Sequence, residues 1–259
     1  MVPAGGNDEA CEVLTGLHAV REALRAGTRP LLRILVLRQD RQCADLVRLA
    51  RAARVPVHVE PKRVLDRLVP GGKHQGVIGL VATKPYAEPE EMLASARARG
   101  EAPFLVILDG VEDPRNLGAV LRTAESAGVH GVLIPERRSV GLTSTVAKAA
   151  AGALEHVRVG RVQNVSRLIE TLQADGLWIY ALDPLARKSY TALDLRGPVA
   201  LVLGGEGKGV RPGVLRKCDE SASIPMRGRV ESLNVSVAAG ILMYEVLRQR
   251  MSEAKIQEK

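Results

Sequence analysis

From Phe104 onward, continuous apolar runs alternate with helical segments, and this alternation constrains the fold more than any other feature of the chain. Apolar runs of this kind are typical of parallel strands that are buried on both faces beneath helices. The sequence therefore predicts a C-terminal α/β domain with a parallel sheet, whose strands lie at residues 104–111, 131–135, 155–162, 177–183 and 199–206. The last helix, residues 232–256, is apolar almost all round in its first half. This predicts that the helix is buried and that a second subunit covers part of it.

A smaller α/β unit precedes this domain. Helical spacing at Leu17, Val20 and Leu24 predicts a first helix that ends at Gly27. Further elements are predicted up to residue 82, with strands at 31–37 and 56–60, helices at 43–55 and 62–69, and a turn followed by a final strand at 71–82. A proline-containing segment with a charged helical stretch follows them. We therefore predict an N-terminal domain at residues 12–82, a linker at 83–102 and a C-terminal domain at 103–259.

Composition narrows the class of protein. A hydrophobic fraction of 46% over 259 residues indicates a globular chain, and no apolar run reaches the length of about 18 residues that a membrane span needs. The start of the chain lacks the pattern of a signal peptide, and the three cysteines form neither a disulfide framework nor a C-x-x-C pair, so we expect a cytoplasmic protein.

The charge indicates the kind of partner. The formal net charge is +8 and the pI is about 9.7, which favours a polyanion, and residues 1–82 carry +5 of this charge. Aromatic residues make up only 2% of the chain, which argues against a module that stacks bases on aromatic side chains.

A glycine-rich loop at residues 202–210 follows a predicted strand, as a phosphate-binding loop would. It does not match the P-loop pattern, because Val202 and Gly209 stand where that pattern needs Gly and Ser or Thr. It does not match G-x-G-x-x-G either, because Val210 occupies the third glycine position. A nucleotide-dependent enzyme built on this loop is therefore excluded by spacing.

Three segments taken together are more specific. Residues 116–124, 203–210 and 224–245 resemble, in this order and spacing, the three motifs of the SpoU (TrmH) class of RNA 2′-O-ribose methyltransferases. The likeness covers residues 104–250 and is greatest to the bacterial enzymes that methylate a guanosine of 23S rRNA. Residues 14–24 and 73–79 resemble the ribosomal-protein-like RNA-binding domain of many members.

The resemblance implies a SPOUT-type fold, in which the C-terminal segment threads through a loop to form a deep trefoil knot, in a homodimer whose subunits complete each other's sites. It implies that S-adenosylmethionine binds bent within the knot. The cofactor-binding residues that it implies are Gly204, Gly205, Ile224, Met226 and Leu233, and the catalytic residues are Asn116, Arg122, Glu206, Ser232 and Asn234.

Arg122 matches the arginine proposed in this class as the base that removes the proton of the 2′-hydroxyl. A guanidinium is normally protonated, so the alternative role is to hold phosphate and to stabilise the developing alkoxide. Taken alone, Arg122 would be interpreted as part of a solvated helix face.

Other site residues also have ordinary structural interpretations. Asn116 follows Asp113 and Pro114, which suit the N-cap and first position of a helix, so it could serve the local turn. Ser232 could cap the last helix, and Glu206 could simply be solvated. The resemblance implies instead that these side chains contact substrate or support the residues that do.

RNA-binding residues are implied at two further places. Lys73, His74 and Gln75 form a polar turn that the resemblance makes an RNA-facing loop, and Arg227 and Arg229 flank the catalytic site. His18 is expected to pack within its helix. The remaining histidines have no metal-ligand spacing and are expected to be structural, namely His58, His130 and His156, so we predict no metal site.

The sequence thus predicts an S-adenosylmethionine-dependent methyltransferase that acts on a ribose, of a guanosine, in 23S rRNA or a large-subunit precursor, with no membrane partner. Within the same chemistry, the alternatives are a tRNA ribose 2′-O-methyltransferase and an rRNA resistance methylase. From another class, the alternative is a non-catalytic rRNA-binding or ribosome assembly factor, which would have no need of all five catalytic residues.

Overall fold

The computed structural model describes residues 11–257, except 39, 40, 42, 72 and 231. The chain forms two compact units. The first extends to Pro85 and takes in Leu142–His156, whereas the second consists of Tyr86–Gly141 and the chain from Val157 onward. A segment from the C-terminal half of the chain therefore belongs to the first unit.

The first unit is built on a four-stranded sheet. Up to Pro85 its elements are β1 (Cys11–Thr15), α1 (Leu17–Ala26), β2 (Leu31–Val36), α2 (Ala44–Ala52), β3 (Val57–Val59), α3 (Lys62–Leu68) and β4 (Val77–Ala82). The strand order is β1-β4-β2-β3, with β4 antiparallel to both neighbours and β2 parallel to β3. Gly27 ends α1 with a φ of 59°, as predicted. Strand β1 was not predicted, because Leu14 is its one buried side chain among those described and its pairing with β4 defines it.

The chain after Pro85 is largely an alternation of strands and helices. Its elements are α4 (Pro89–Ala98), β5 (Phe104–Asp109), α5 (Pro114–Ser126), β6 (Gly131–Pro135), α6 (Ser144–Ala150), β7 (Val159–Val162), α7 (Val165–Ala174), β8 (Trp178–Leu182), β9 (Val199–Gly204), α8 (Pro212–Leu215), β10 (Glu220–Ala222) and α9 (Val235–Gln257). Short 3₁₀ helices lie at Ala153–Glu155 and Tyr190–Ala192. Helix α6 belongs to the first unit and the other labelled elements to the second.

A buried arginine holds Leu142–His156 within the first unit. The Arg29 guanidinium is 1% exposed and donates to Glu155 Oε1 at 2.7 Å and to Glu12 Oε2 at 2.6 Å. Thr28 Oγ1 also donates to Glu155 Oε2, at 3.2 Å. Because an unpaired buried guanidinium would be strongly unfavourable, these contacts tie Glu155 to strand β1.

The second unit contains the predicted parallel sheet. Its six strands have the order β10-β8-β9-β5-β6-β7, and every neighbouring pair is parallel. All residues of β5 and β6 are buried, which is why their sequences are continuously apolar. The α/β fold class with a parallel sheet is therefore confirmed, whereas the trefoil knot stays a prediction.

Residues assigned from the sequence to the linker include helix α4. Met92, Leu93 and Ala96 of this helix are buried, and Met92 packs where Gly131 has no side chain. Prolines and charges dominate this segment in the sequence and obscure its three core positions. No helix within the described ranges is long and apolar enough to cross a membrane.

Candidate active site

The carboxyl ends of β5 and β9 lie side by side, with Asp109 opposite Gly204. The glycine loop that follows β9 packs against the backbone after β5. A Cβ at Gly205 would overlap the carbonyl oxygen of Gly110, and one at Gly204 would overlap the backbone of Gly209. Only glycine fits at both positions, so the loop is shaped by close backbone approach rather than by the pattern of a phosphate-binding loop.

One buried residue holds both ends of this loop. The Asp109 carbonyl accepts the Gly205 N–H at 3.0 Å, and the Asp109 carboxylate accepts the Arg211 N–H at 3.0 Å. The Arg211 guanidinium donates to the same carboxylate at 2.8 Å from Nε and at 2.5 Å from its terminal nitrogen. The hydrogen bond with Asp109 raises the pKa of Arg211. The Asp109 side chain is 0% exposed, and neither residue was identified from the sequence. The only sequence signal for this contact was Asp109 itself, an acidic residue at the end of an otherwise apolar strand.

Three of the predicted catalytic residues form a chain of hydrogen bonds. Asn234 Nδ2 donates to Asn116 Oδ1 at 3.1 Å, and Asn116 Nδ2 donates to Glu206 Oε1. Ser236 supplies the start of this chain, because its hydroxyl donates to Asn234 Oδ1 at 2.6 Å. Every donor points toward the Glu206 carboxylate, so the chain fixes the orientation of that group. We call these four residues the amide chain.

The helix starts have the caps that position this chain. Asp113 accepts the Arg115 N–H at 2.7 Å and Pro114 begins α5, as the local interpretation predicted, which leaves the side chain of Asn116 for the site. Asn234 accepts the Ser236 N–H at 2.9 Å and therefore caps α9. The interpretation of Ser232 as that cap is wrong, because α9 begins three residues later, at Val235.

A cavity of about 970 Å³ adjoins the amide chain. Its lining contains all five predicted cofactor-binding residues and three of the catalytic ones, namely Gly204, Gly205, Ile224, Met226, Leu233, Glu206, Ser232 and Asn234. Its volume lies within the usual range for small-molecule sites. Leucine, isoleucine and methionine side chains can contact a base, while glycine backbone and the polar side chains can bind a ribose and a charged tail. The residues present therefore fit a nucleoside cofactor such as S-adenosylmethionine.

Other predicted residues lie outside this cavity. Arg122 is exposed on α5 and does not line it, and its guanidinium makes no hydrogen bond to the described part of the chain. Arg229 lines the cavity, whereas Arg227 is exposed beside it. Helix α5 packs against α9, which leaves Val237 and Tyr244 of α9 about half exposed.

The predicted RNA-facing loop lies in the first unit. Lys73 and Gln75 are exposed, and Gln75 has a φ of 51°. His74 is buried instead: its Nε2 lies 3.1 Å from Asp66 Oδ1, and its Nδ1 accepts the Gly76 N–H at 3.0 Å. Both ring nitrogens of His74 are therefore engaged within the protein, and the exposed groups of the loop are its two neighbours.

The histidines serve local structure in several ways. His130 is buried, with Nδ1 accepting the Phe104 N–H at 3.1 Å and Nε2 lying 2.9 Å from Glu101. His18 is exposed on α1, contrary to expectation, because the buried face of that helix contains Val20 and Ala23. Across the residues that the structure covers, no group of three His, Cys, Asp or Glu side chains could hold a metal ion.

Comparison with known proteins identifies the family. The profile of the SpoU rRNA Methylase family matches residues 103–244, and that of the RNA 2′-O ribose methyltransferase substrate-binding domain matches residues 13–87. The chain belongs to the SpoU rRNA methylase family. YacO of Bacillus subtilis (strain 168), which is assigned to the TrmH family of tRNA/rRNA methyltransferases, is 43% identical over 241 residues, or 92% of this chain and 96% of YacO. The resemblance inferred from the motifs is thus confirmed.

Solved structures of SpoU methyltransferases have the same fold. An RNA 2′-O ribose methyltransferase is 28% identical, with a TM-score of 0.76 over 94% of this chain and 90% of its own. The AdoMet-bound rRNA methyltransferase of Sinorhizobium meliloti is 26% identical, with a TM-score of 0.75 over 92% of this chain and 87% of its own. Both likenesses extend over the two units of the chain.

Proposed function

We propose that this SpoU-family methyltransferase uses S-adenosylmethionine to methylate the ribose 2′-hydroxyl of a guanosine in 23S rRNA or a large-subunit precursor, in the cytoplasm. The observation that carries the proposal is the amide chain, which ends on Glu206 at the edge of a nucleoside-sized cavity. When bound, S-adenosylmethionine supplies a methyl group on a good leaving group. The protein must then position the hydroxyl and stabilise its developing negative charge.

The amide chain positions the ribose. Glu206 Oε1 accepts from Asn116, whereas the other carboxylate oxygen has no hydrogen-bond partner in the described part of the chain. That oxygen accepts a hydrogen bond from the 2′-hydroxyl, aligns the hydroxyl oxygen with the cavity, and takes up its proton as the methyl group is transferred. Ser232 lines the same cavity and contacts the cofactor or the ribose. Gly204, Gly205, Ile224, Met226 and Leu233 hold the cofactor.

Arg122 stabilises the alkoxide and the adjoining phosphate, and we assign it this electrostatic role rather than that of the base. Because Arg122 does not line the cavity of its own chain, it acts in the site of a second copy. The half-exposed apolar side chains of Val237 and Tyr244 on α9 support this homodimer, since α5 packs on the same helix. The knotted SPOUT topology implied by the family belongs to the same proposal.

Residues 12–82 capture the RNA, and residues 103–259 supply the catalytic domain, apart from Leu142–His156, which belong to the first unit. Lys73 and Gln75 contact RNA directly, while His74 shapes their loop through Asp66 and Gly76. Arg227 and Arg229 bind phosphate beside the cavity. The match of residues 13–87 to a substrate-binding profile supports this assignment.

Transfer of labelled methyl groups to protein-free 23S rRNA and to bulk tRNA tests the proposal. A 2′-O-methyl group blocks alkaline cleavage of the adjacent phosphodiester, so the label should appear in an alkali-resistant dinucleotide that contains guanosine. Label in tRNA would show that the substrate is tRNA, while the ribose 2′-O-methylation stays as proposed. Label at another rRNA nucleotide would favour a resistance methylase. No label in either RNA or in large-subunit precursors, together with no saturable S-adenosylmethionine binding, would favour the assembly factor.

A further inference from the structure

Three exposed arginines follow the carboxyl ends of β5 and β6. Arg115 lies in the first turn of α5, immediately before Asn116, and Arg137 and Arg138 follow β6. Strands β5 and β6 are parallel neighbours, so these loops open at the same edge of the sheet as the glycine loop after β9. In sheets of this kind, ligands bind outside the carboxyl ends of the strands. The cavity lies at the β8–β9 side of this edge, and the arginines lie at the β5–β6 side.

The loop at residues 136–141 is held in place by its neighbours. The Val140 N–H donates to the Val111 carbonyl at 3.0 Å, and the Arg161 guanidinium donates to the Glu136 carbonyl at 3.1 Å. Arg138 has a φ of 59°, a left-handed conformation that residues other than glycine rarely adopt. Such a conformation persists where the surroundings determine it, and it is concentrated at functional sites. Arg137 and Arg138 are therefore presented from a fixed backbone.

The three guanidiniums have no acidic partner in the part of the chain that the structure describes. Acidic residues lie in the same loops, namely Glu112, Asp113 and Glu136. None of their carboxylates forms an ion pair with a described guanidinium, and Asp113 instead caps α5 by accepting the Arg115 N–H. In the same unit, by contrast, Arg211 and Arg248 each bind a carboxylate through two nitrogens. Unpaired guanidiniums suit phosphate, because their planar fork matches two phosphate oxygens.

We propose that Arg115, Arg137 and Arg138 form a phosphate-binding surface, here called the arginine surface, that holds the RNA backbone beside the target nucleotide. This inference rests on the proposed function, because it assumes that the ligand is RNA. It places the bound strand along the β5–β6 edge, so that the target ribose reaches Glu206 from the side opposite the cofactor cavity. The surface binds backbone and contributes to affinity and register rather than to recognition of the base.

The test compares R137Q/R138Q with R167Q/R216Q, which removes the same charge. Arg167 and Arg216 are also exposed in the second unit and make no side-chain hydrogen bond to described residues. The binding of a 23S rRNA transcript is measured over a range of KCl concentrations, together with S-adenosylmethionine affinity and thermal stability. We expect R137Q/R138Q to weaken RNA binding about tenfold at 0.1 M KCl and to reduce the slope of log K against log[KCl] by about 1–2, since each lost phosphate contact removes about 0.7–0.9.

The control should leave the affinity and the slope within about twofold of wild type, and both variants should keep wild-type cofactor affinity. R137K/R138K should restore the slope, because a lysine still neutralises a phosphate. Equal RNA binding by R137Q/R138Q and R167Q/R216Q would overturn the arginine surface while leaving the proposed function standing. A wild-type chain that neither bound nor methylated RNA would overturn both.

Discussion

Two polar contacts join the same pair of loops at the carboxyl edge of the sheet, yet they differ in burial. Asp109 and Arg211 link the end of β5 to the end of the glycine loop, and the Asp109 carboxylate is inaccessible to solvent. Asn116 and Glu206 link the start of α5 to the middle of that loop, and Glu206 is exposed. The first contact sets where the glycine loop lies, and the second leaves a carboxylate oxygen available to a substrate.

The difference in burial gives the two contacts different roles: the Asp109–Arg211 contact serves stability, and the Asn116–Glu206 contact serves chemistry. Removing the half-exposed Arg211 side chain would leave the buried Asp109 carboxylate without its partner, which destabilises the fold. Removing an exposed hydrogen bond has little effect on stability, whereas it removes an interaction that a reacting group needs. Variants of the two contacts should therefore fail in different measurements.

The largest effect is expected on methyl transfer from Glu206→Gln and Arg122→Ala. Each should lower the rate by about 100-fold or more, because Glu206→Gln removes the carboxylate that accepts the hydroxyl proton and Arg122→Ala removes the positive charge that stabilises the alkoxide. Both residues are exposed, so the free energy of unfolding should change by less than about 0.5 kcal/mol. Single-turnover transfer and urea unfolding check these values, with R216Q as the control. Lost cofactor binding in a folded Arg122→Ala variant would contradict the role of Arg122.

Asp109→Asn should instead reduce stability, by about 1–2 kcal/mol, because the half-exposed Arg211 guanidinium and its backbone N–H lose a charged acceptor that is buried. S-adenosylmethionine affinity should fall with it, since the glycine loop lines the cavity. Urea unfolding and calorimetric titration measure the two effects. Arg211→Met should show the same pattern, and Arg216→Met, five residues away on the surface, should show neither. Wild-type stability in Asp109→Asn would mean that close backbone packing alone holds the loop.

The same distinction explains what could be predicted from the sequence. Strands β5 and β6 were predictable because burial on both faces makes them apolar throughout, and Asp113 with Pro114 has the residue types that begin a helix. The Asp109–Arg211 pair joins residues 102 positions apart, and no local pattern indicates it. Asn116, Glu206 and Asn234 were identified through the likeness of three motifs to a family, because hydrophobic periodicity carries no information on the role of single polar side chains.

The burial of polar groups could not be predicted from the sequence either. His74 lies in a turn of polar residues and was predicted to face RNA, but Asp66 and the Gly76 N–H occupy its two ring nitrogens. Strand β1 was missed and the packing of helix α4 was underestimated for a related reason. Strand β1 is defined by its pairing with β4, and α4, predicted only as a charged helical stretch of a linker, has three buried positions that its prolines and charges obscure.

Asn234 contributes to stability as the cap of α9 and to chemistry as a member of the amide chain. Its variant therefore tests the distinction between the two contacts more sharply. Asn234→Ala should cost about 1 kcal/mol of stability, because the cap of α9 is lost, and it should also slow methyl transfer by breaking the amide chain. Ser232→Ala is the matched control for the cap, since Ser232 precedes the helix start and should leave stability unchanged. Urea unfolding of the two variants measures the difference. A loss of stability in Ser232→Ala but not in Asn234→Ala would contradict the assigned cap.

The smallest effect is expected from a change of pH and concerns His130, a buried group outside the amide chain. Burial lowers the pKa of His130 despite its contact with Glu101, and Nδ1 must stay unprotonated to accept the Phe104 N–H. The unfolded chain therefore binds this proton more readily than the folded one. The contribution of His130 should be complete above the ordinary imidazole pKa of about 6.5 and should be lost as the pH falls from there toward the lower folded value. The difference in unfolding free energy between wild type and His130→Asn, whose carbonyl can accept the same N–H, should shrink over this range. A difference that does not change with pH would show that His130 contributes by packing alone.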